Sequence, residues 1–458
     1  GLNAAKQKPF TMLLKTPEKV ERFFTPDPIS TIRYCAVCRK PEDSDFQPFD
    51  PLKIEEGQED SATQTVICPM CDSFKELADD LGKRGRYLNC QRAAVAPAST
   101  SVWQRALHAA SNGLVYTFTT TPMAQGRNLA LSPDDFLGTG VHGLWPMAHT
   151  TPMSGGVIRD NQSLADESPS SFRRLGVLKA DVDDLGAMLV HGLRDRRSAT
   201  LTATMSESLS LFFGCWLDRI CAEAPYKDIV YVLYAGGDDL LIVGAWHVMP
   251  LLAERLASDF ERYTGNNQAV HLSAGVTMVG GKEPLYAAIE GANAALKQAK
   301  SHRKGERQAK QAISMFGEVF DWSRFRHVTG WKDTLQSMTT NGAPSALLVS
   351  LLQLYAQYQD DQRSLEDSNS GYTTRGRNGR YKATDEDIVL GPWLWQMIYR
   401  FHRLANQNKE VQGSIENIQK EMLKPDGVRQ LAVAARWAQL LSREKTEKTK
   451  ETDNGQSY

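Results

Sequence analysis

The chain has 458 residues, enough for about two to four domains with cores of their own. Its 53 Lys and Arg against 54 Asp and Glu leave a formal net charge of −1. No overall basic field therefore argues for nucleic acid, and any such site must be local. No run of about twenty apolar residues and no opening signal peptide occur, so we expect a cytoplasmic protein without a helical membrane span.

Residues 1–33 hold a short apolar segment, Phe10 to Leu14, and then Pro17, Pro26 and Pro28. They read as the tail of a preceding unit plus a linker. Residues 34–90 carry Cys35-Ala-Val-Cys38 and Cys68-Pro-Met-Cys71. Each CxxC sets two thiolates at the tip of a tight knuckle, and two knuckles complete a tetrahedral four-cysteine zinc site that is structural. The acidic stretch between them is longer than the usual spacing and reads as an excursion. Redox thiols are the alternative. Cys90, Cys215 and Cys221 read as small hydrophobes. A helix is expected at Phe74 to Leu81, leaving the second knuckle.

Residues 91–173 form a mixed region with a strand at Leu114 to Thr120 and a long polar loop from Thr150 to Ser171. Arg174-Leu-Gly-Val-Leu-Lys-Ala-Asp181 then reads as a strand ending in acid. An amphipathic helix follows from Ser206, its N-cap, to Ala224. Ile229 to Gly244, IVYVLYAGGDDLLIVG, sets two apolar β-rich runs around Gly236-Gly237-Asp238-Asp239, the pattern of a tight hairpin between buried strands. A helix at Pro250 to Tyr263, a strand at Val270 to Val279, a helix at Pro284 to His302 and a last strand at Ala312 to Phe316 complete residues 174–321.

That order is β-α-β-β-α-β with an extra helix and strand, a ferredoxin-like palm, so the fold class is α+β. In it the third strand runs antiparallel beside the first, which brings Asp181, Asp238 and Asp239 to one sheet edge. Paired carboxylates repel unless a cation joins them. Hard oxygen ligands suit Mg²⁺ or Mn²⁺ held together with substrate phosphates. A solvated β-turn is the plain alternative for the GGDD letters alone.

Residues 322–445 are helical, with helices at Ala343 to Gln359, Asp385 to Asn408, Val411 to Leu423 and Gly427 to Arg443. Trp393, Trp395, Tyr399 and Phe401 are expected in the core of that bundle. The basic Gly-rich stretch Ser368 to Arg380 would suit a phosphate backbone, or be a plain loop. Residues 446–458 are charged and apolar-poor, and read as a disordered tail.

On the CxxC…CxxC module, the strand LGVLKADVDDLG, the YAGGDDLLIVG hairpin, the HLSAGVTM strand, AKQAISMFG and the helical tail, the chain resembles the large subunit of type III CRISPR effector complexes, of the Csm (III-A) kind. The resemblance implies a GGDD-palm cyclase that makes cyclic oligoadenylates from ATP in antiviral defence, when the complex binds target RNA. It implies Mg²⁺ or Mn²⁺ at Asp181, Asp238 and Asp239, with structural Zn²⁺ on Cys35, Cys38, Cys68 and Cys71. Gly236 and Gly237 would give backbone access to the nucleotide, and the Asp184-Leu185-Gly186 turn would offer amides to its triphosphate. Ser273 matches a family serine near the adenine, or is an ordinary strand serine. Lys310 matches a family lysine that would pair with phosphates, or is a solvated lysine. Asp183 is held second, as facing the opposite side of the strand unless the strand has ended.

The implied partners are CRISPR RNA, target RNA, the small subunit and the subunit that binds the CRISPR RNA 5′ end. Family members carry an HD nuclease domain and a first palm before the zinc module. None of the nine histidines here precedes an aspartate, and no palm-sized segment precedes Cys35. DNA cleavage is therefore not expected of this polypeptide, and a partner chain or a missing N-terminal half is expected to supply the first palm. A non-catalytic scaffold, or another palm-type nucleotidyl cyclase, is the rival reading.

Overall fold

The computed structural model describes residues 33–41, 66–97, 99–192, 198–304, 310–371, 391–407 and 412–443, with positions 16, 17, 20, 47, 48, 307 and 308. They fall into two compact units, one drawn from residues 1–84 and 88–127, the other from 85–87 and 128–458. The stretch 372–380, with Tyr372 and Tyr381 beside it, and the tail after residue 443 lie outside the described residues.

In the first unit, helix α1 (Pro69–Arg84) starts directly at the second knuckle, five residues earlier than the sequence suggested. Strand β1 (Tyr87–Arg92) lies beside β2 (Leu114–Thr119), with α2 (Val102–Ala110) between them in the chain. A complete capping box starts α2: Gln104 N–H donates to Ser101 Oγ at 3.3 Å, and Ser101 N–H donates to Gln104 Oε1 at 2.8 Å.

The second unit is built on a six-stranded sheet. Its strands are β3 (Leu175–Val182), β4 (Val230–Gly236), β5 (Asp239–Ala245), β6 (Leu272–Val279), β7 (Ala312–Met315) and β8 (Glu318–Asp321), in spatial order β4-β5-β3-β6-β7-β8. All neighbours run antiparallel except β6 and β7. The first four strands keep the ferredoxin-like order, and β8 is an addition that the sequence reading lacked. Phe316 and Gly317 turn the chain between β7 and β8, both at positive φ.

Alternation along β3 divides its side chains between two faces. Val177 packs with Leu241 and Val243 against Ala288 and Ala292 of helix α6 (Leu285–Lys300). Leu178, Ala180 and Val182 enter the large core on the other face, with helices α4 (Ala199–Leu211) and α5 (Met249–Tyr263). Ser198, extended at φ −137°, caps α4 by accepting from Leu201 N–H at 3.1 Å, so the expected cap Ser206 lies inside the helix. The helix then continues through a π-turn, Phe212–Trp216, into Leu217–Cys221.

The expected polar loop 150–171 is ordered instead. Met153–Ser154 pairs with Val157–Ile158, and α3 (Asn161–Asp166) follows, capped by Asp160, which accepts from Ser163 N–H at 2.6 Å. Ser168 is buried and accepts from the Trp246 indole at 3.0 Å, which anchors the end of that stretch to the core.

The helical region comprises α7 (Trp322–Thr340), α8 (Ala346–Gly371), α9 (Pro392–Gln407), α10 (Gln412–Met422) and α11 (Gly427–Leu441). It shares the core of the palm. Trp322 Nε1 donates to Leu272 O at 2.7 Å, and Arg429 reaches Glu318 of β8 at 2.9 Å. Phe325 stacks on Trp437 at 6.2 Å. Trp393 and Phe401 are buried as expected, but Trp395 and Tyr399 are 76% and 68% exposed. Positions 393, 397 and 401 share one helix face, and 395 and 399 fall on the other.

Candidate active site and a thiol metal centre

The hairpin closes with two residues. Gly236 pairs with Asp239, so Gly237 and Asp238 make the turn, with Gly237 at φ +65°. Glycine at the first central position with positive φ matches a type II′ turn, whose twist suits the flanking strands. A side chain at Gly236 or Gly237 would meet nothing within 4 Å, so this backbone faces open space. Asp238 O accepts from Val182 N–H at 2.8 Å, stitching the tip to the end of β3.

Asp239 lies directly across from Asp181 in the β5–β3 register, and Ser273 lies across from Asp181 on the β6 side. The acidic convergence read from strand order is therefore present. Two of the three carboxylates, Asp181 and Asp239, carry their own counter-cations. Lys300, the last residue of α6, pairs with Asp181. Lys179 donates to the Tyr234 hydroxyl at 2.9 Å, Tyr234 donates to Asp239 at 3.0 Å, and the Lys179 ammonium stands 3.8 Å from Asp239. Burial pushes the Asp181 carboxyl above its ordinary value. Lys300 pulls it back, and Asp238 and Asp239 add to the rise. Burial works to lower Lys179, but its Tyr234 hydrogen bond and the charges of Tyr234, Asp239 and Asp181 outweigh that and hold it raised.

The donor set of Asp181, Asp238 and Asp239 is hard oxygen, which fits Mg²⁺ or Mn²⁺. The lysines supply the positive charge in this arrangement. Among the described residues, only the four thiols form a group of three or more ligating side chains drawn within metal-holding reach.

Asp184 follows at φ +55° and opens the short helical stretch Leu185–Ala187. Gly186 borders open space. Lys310 Nζ donates to Asp184 Oδ1 at 2.5 Å, so it is an ion-paired lysine beside the turn. Ser273 is fully buried and donates to Asp183 Oδ2 at 2.7 Å. Its hydroxyl proton is committed to Asp183, which leaves its lone pairs to accept from another group.

For Asp183 the stated exception holds. The strand ends at Val182, and Asp183 is a buried turn residue on the Ser273 side. Lys179, Tyr234, Lys300 and His271 escaped the sequence reading. Lys179 was findable, since it precedes Asp181 by two and so shares its face of β3.

In the first unit, the Sγ atoms of Cys35, Cys38, Cys68 and Cys71 lie within 4.8 Å of one another. Zinc–sulfur bonds of about 2.3 Å in a tetrahedron require sulfur spacings of about 3.8 Å, and Cys38–Cys68 is 3.6 Å. Knuckle amides point at the sulfurs: Cys68 N–H reaches Cys35 Sγ at 3.4 Å, and Cys71 N–H reaches Cys68 Sγ at 3.4 Å. Burial raises Cys35, but the amides of Cys38, Cys68 and Val37 bring it down to about 6, whereas burial and the neighbouring thiols push Cys71 far up. The four residues fit zinc. Cys215 and Cys221 are buried within the α4 helical run as expected, and Cys90 is half-buried.

Residues 174–309 match the family model described as Cas10/Cmr2, second palm domain. The chain is 31% identical over 182 residues to the CRISPR system single-strand-specific deoxyribonuclease Cas10/Csm1 (subtype III-A) of Methanocaldococcus jannaschii, covering 36% of this chain and 23% of that protein. A Csm1–Csm4 cassette in complex with cA3 superposes with a TM-score of 0.54 at 18% identity over 78% of this chain and 48% of the other. The cassette with one ATP gives 0.52 at 19%, over 79% and 49%. The chain thus spans about half the length of the structures it matches and a quarter of the curated relative. Residues 174–309 are thus similar to the second palm domain of Cas10/Cmr2 proteins, and parts of the chain are similar to the Cas10/Csm1 proteins of subtype III-A CRISPR systems.

Proposed function

We propose that this chain provides the nucleotidyl-transfer site of an RNA-guided type III-A complex, making cyclic oligoadenylates from ATP when target RNA binds. The observation that carries the reading is the register that sets Asp181 opposite Asp239 beneath a glycine-lined hairpin tip. The cA3 and ATP bound to the similar Csm1–Csm4 cassettes support adenine nucleotides as the ligand class. The Csm4 in those assemblies supports a neighbouring subunit of that kind, the one expected at the CRISPR RNA 5′ end.

Asp181, Asp238 and Asp239 would hold divalent cations, which when bound neutralise phosphate charge and acidify the attacking hydroxyl. The reaction joins the 3′-oxygen of one ATP to the α-phosphorus of another as the bond to pyrophosphate breaks. Gly236, Gly237 and the Asp184–Gly186 turn would leave backbone free to approach the nucleotide. Once cations take over Asp181 and Asp239, the Lys300 and Lys179 ammonium groups become available to the triphosphate. Lys310 would serve the same end from the Asp184 side. A partner chain or further segment would supply the first palm and the second ATP.

The ion pairs on Asp181 and Asp239 favour one rival, a scaffold that binds nucleotide without turnover. The deciding experiment incubates the assembled complex with ATP, Mn²⁺ and matched target RNA and resolves products by mass. Cyclic oligoadenylate from the wild type and none from the Asp238→Ala, Asp239→Ala double variant supports the synthase. ATP bound but unconverted by a complex that still binds target RNA refutes it in favour of the scaffold.

A further inference from the structure

Asp183 is fully buried, one residue beyond β3, and its Oδ2 gathers three donors. These are His271 Nδ1 at 2.7 Å, Ser273 Oγ at 2.7 Å and the Gln311 amide at 3.1 Å. Its own N–H donates to His271 O at 2.9 Å. Its Oδ1 is buried with no hydrogen-bond partner. A carboxylate removed from water is costly unless its acceptors are filled, and three charge-assisted or polar donors on one oxygen are what retain this one.

The donors come from the turn's neighbours on both sides. His271 and Ser273 flank the first residue of β6, and Gln311 immediately precedes β7. Gln311 and Lys310 both sit in the left-handed region, at φ +46° and +47°, and so does Asp184 at φ +55°. Non-glycine residues hold that conformation at a cost and persist there only where the surroundings over-determine them. Three such residues meet around one carboxylate, and Lys310 closes the ring by donating to Asp184.

We propose that Asp183 is a positioning residue of the palm site: it fixes the Asp184–Gly186 turn, the Lys310 segment and the end of β3 so that Asp181 presents its carboxylate to the cation and nucleotide. Ser273 is part of this fastening and does not read the base. The inference rests on the nucleotide-transfer reading above, and its test separates the two.

The test uses the full, zinc-loaded chain and measures Mn²⁺ binding by electron paramagnetic resonance, with and without a non-hydrolysable ATP analogue, beside thermal unfolding. The variants are Asp183→Asn, Ser273→Ala and Ser273→Thr. We expect Asp183→Asn to weaken Mn²⁺ binding at least tenfold and Ser273→Ala three- to tenfold. Ser273→Thr, which keeps the hydroxyl, restores most of it, and the preference for ATP over GTP analogues stays unchanged in each. Unaltered Mn²⁺ affinity with a lowered unfolding temperature would overturn the proposal, leaving Asp183 a fastening of the fold only. A Ser273→Ala variant that binds Mn²⁺ normally but loses its ATP-over-GTP preference would also overturn it, and would return Ser273 to the base. No Mn²⁺–nucleotide binding by the wild type would instead sink the underlying functional reading.

Discussion

Replacing Gly275 with alanine is expected to part helix α6 from the sheet that carries the acidic edge. A Cβ at Gly275 would stand 2.3 Å from Leu296 N and 2.7 Å from both Ala292 O and Ala295 C, against an ordinary contact of 3.4 Å or more. The obstructing atoms are helix backbone, so no rotamer change relieves them. The helix must withdraw by about 1 Å, and overpacking of this kind costs ~1–3 kcal/mol. At about 2–4 °C per kcal/mol for a unit of this size, the unfolding midpoint should fall by roughly 2–12 °C. Lys300 lies one turn beyond Leu296, so the same withdrawal shifts the cation that pairs with Asp181. A misplacement of about 1 Å is enough to cost on the order of 100-fold in a positioned reaction, so turnover should fall further than the lost stability explains. The assay is thermal unfolding by circular dichroism beside a turnover measurement. Gly330→Ala, on an exposed helix position with nothing within 4 Å of the added carbon, serves as the opposite-sign control and should gain ~0.5–1 kcal/mol. A Gly275→Ala protein that melts within about 1 °C of wild type would refute the close packing of α6 on β6.

Other outcomes follow from the same geometry. Lys300→Met should tighten binding of Mn²⁺ alone several-fold, because its competitor for Asp181 is gone, while weakening Mn²⁺–ATP; titration calorimetry checks both signs, and looser binding of Mn²⁺ alone contradicts the competition. Removing Lys300 should also raise Asp181 further, moving the acid limb of any activity profile to higher pH. Cys68→Ser should abolish a one-to-one zinc content measured by mass spectrometry and open the first unit to limited proteolysis; full zinc retention would exclude the four-thiol site. Burial lowers His149, but its hydrogen bond and ion pair with Asp218 win and leave it raised. Its stabilising contribution is therefore complete below a pH of about 6.5 and fades as pH rises through the elevated native value. The unfolding-temperature gap between wild type and His149→Asn should narrow as pH rises above about 6.5, and a constant gap would count against the pair.

The palm was legible because its central strands are apolar on both faces and its hairpin turn is glycine and aspartate, signals that do not depend on distant partners. Strand order then fixed which acidic ends meet. Lys300 was hidden because its partner is remote in sequence: it meets Asp181 across 119 positions, and a lysine at a helix end reads as solvated. Asp183 was held second because it was assigned to the opposite strand face, whereas residues two apart share a face and Asp183 meets Ser273, which lies across from Asp181. Helix α7 was missed for the opposite reason. Its buried face includes Lys332, whose ammonium lies 5.1 Å from the Trp437 ring, so the apolar period is broken where the packing is tight. Trp395 and Tyr399 show that aromatic spacing must be followed in steps of three and four, not merely counted.

The segment before the hairpin has a protective consequence. β4 is an edge strand, and such an edge invites pairing with another chain. Thr150 O accepts from Val232 N–H at 3.0 Å, next to the register shift between Val232 and Tyr234. Thr150 is itself tethered: Asp218 accepts from its amide at 2.9 Å and its hydroxyl at 2.5 Å, and from the His149 amide at 3.0 Å. One carboxylate on the helix behind the sheet thus keeps a strip of main chain laid along the rim. Loss of Asp218 would convert that rim into a sticky border, and self-association would betray the change before any loss of catalysis.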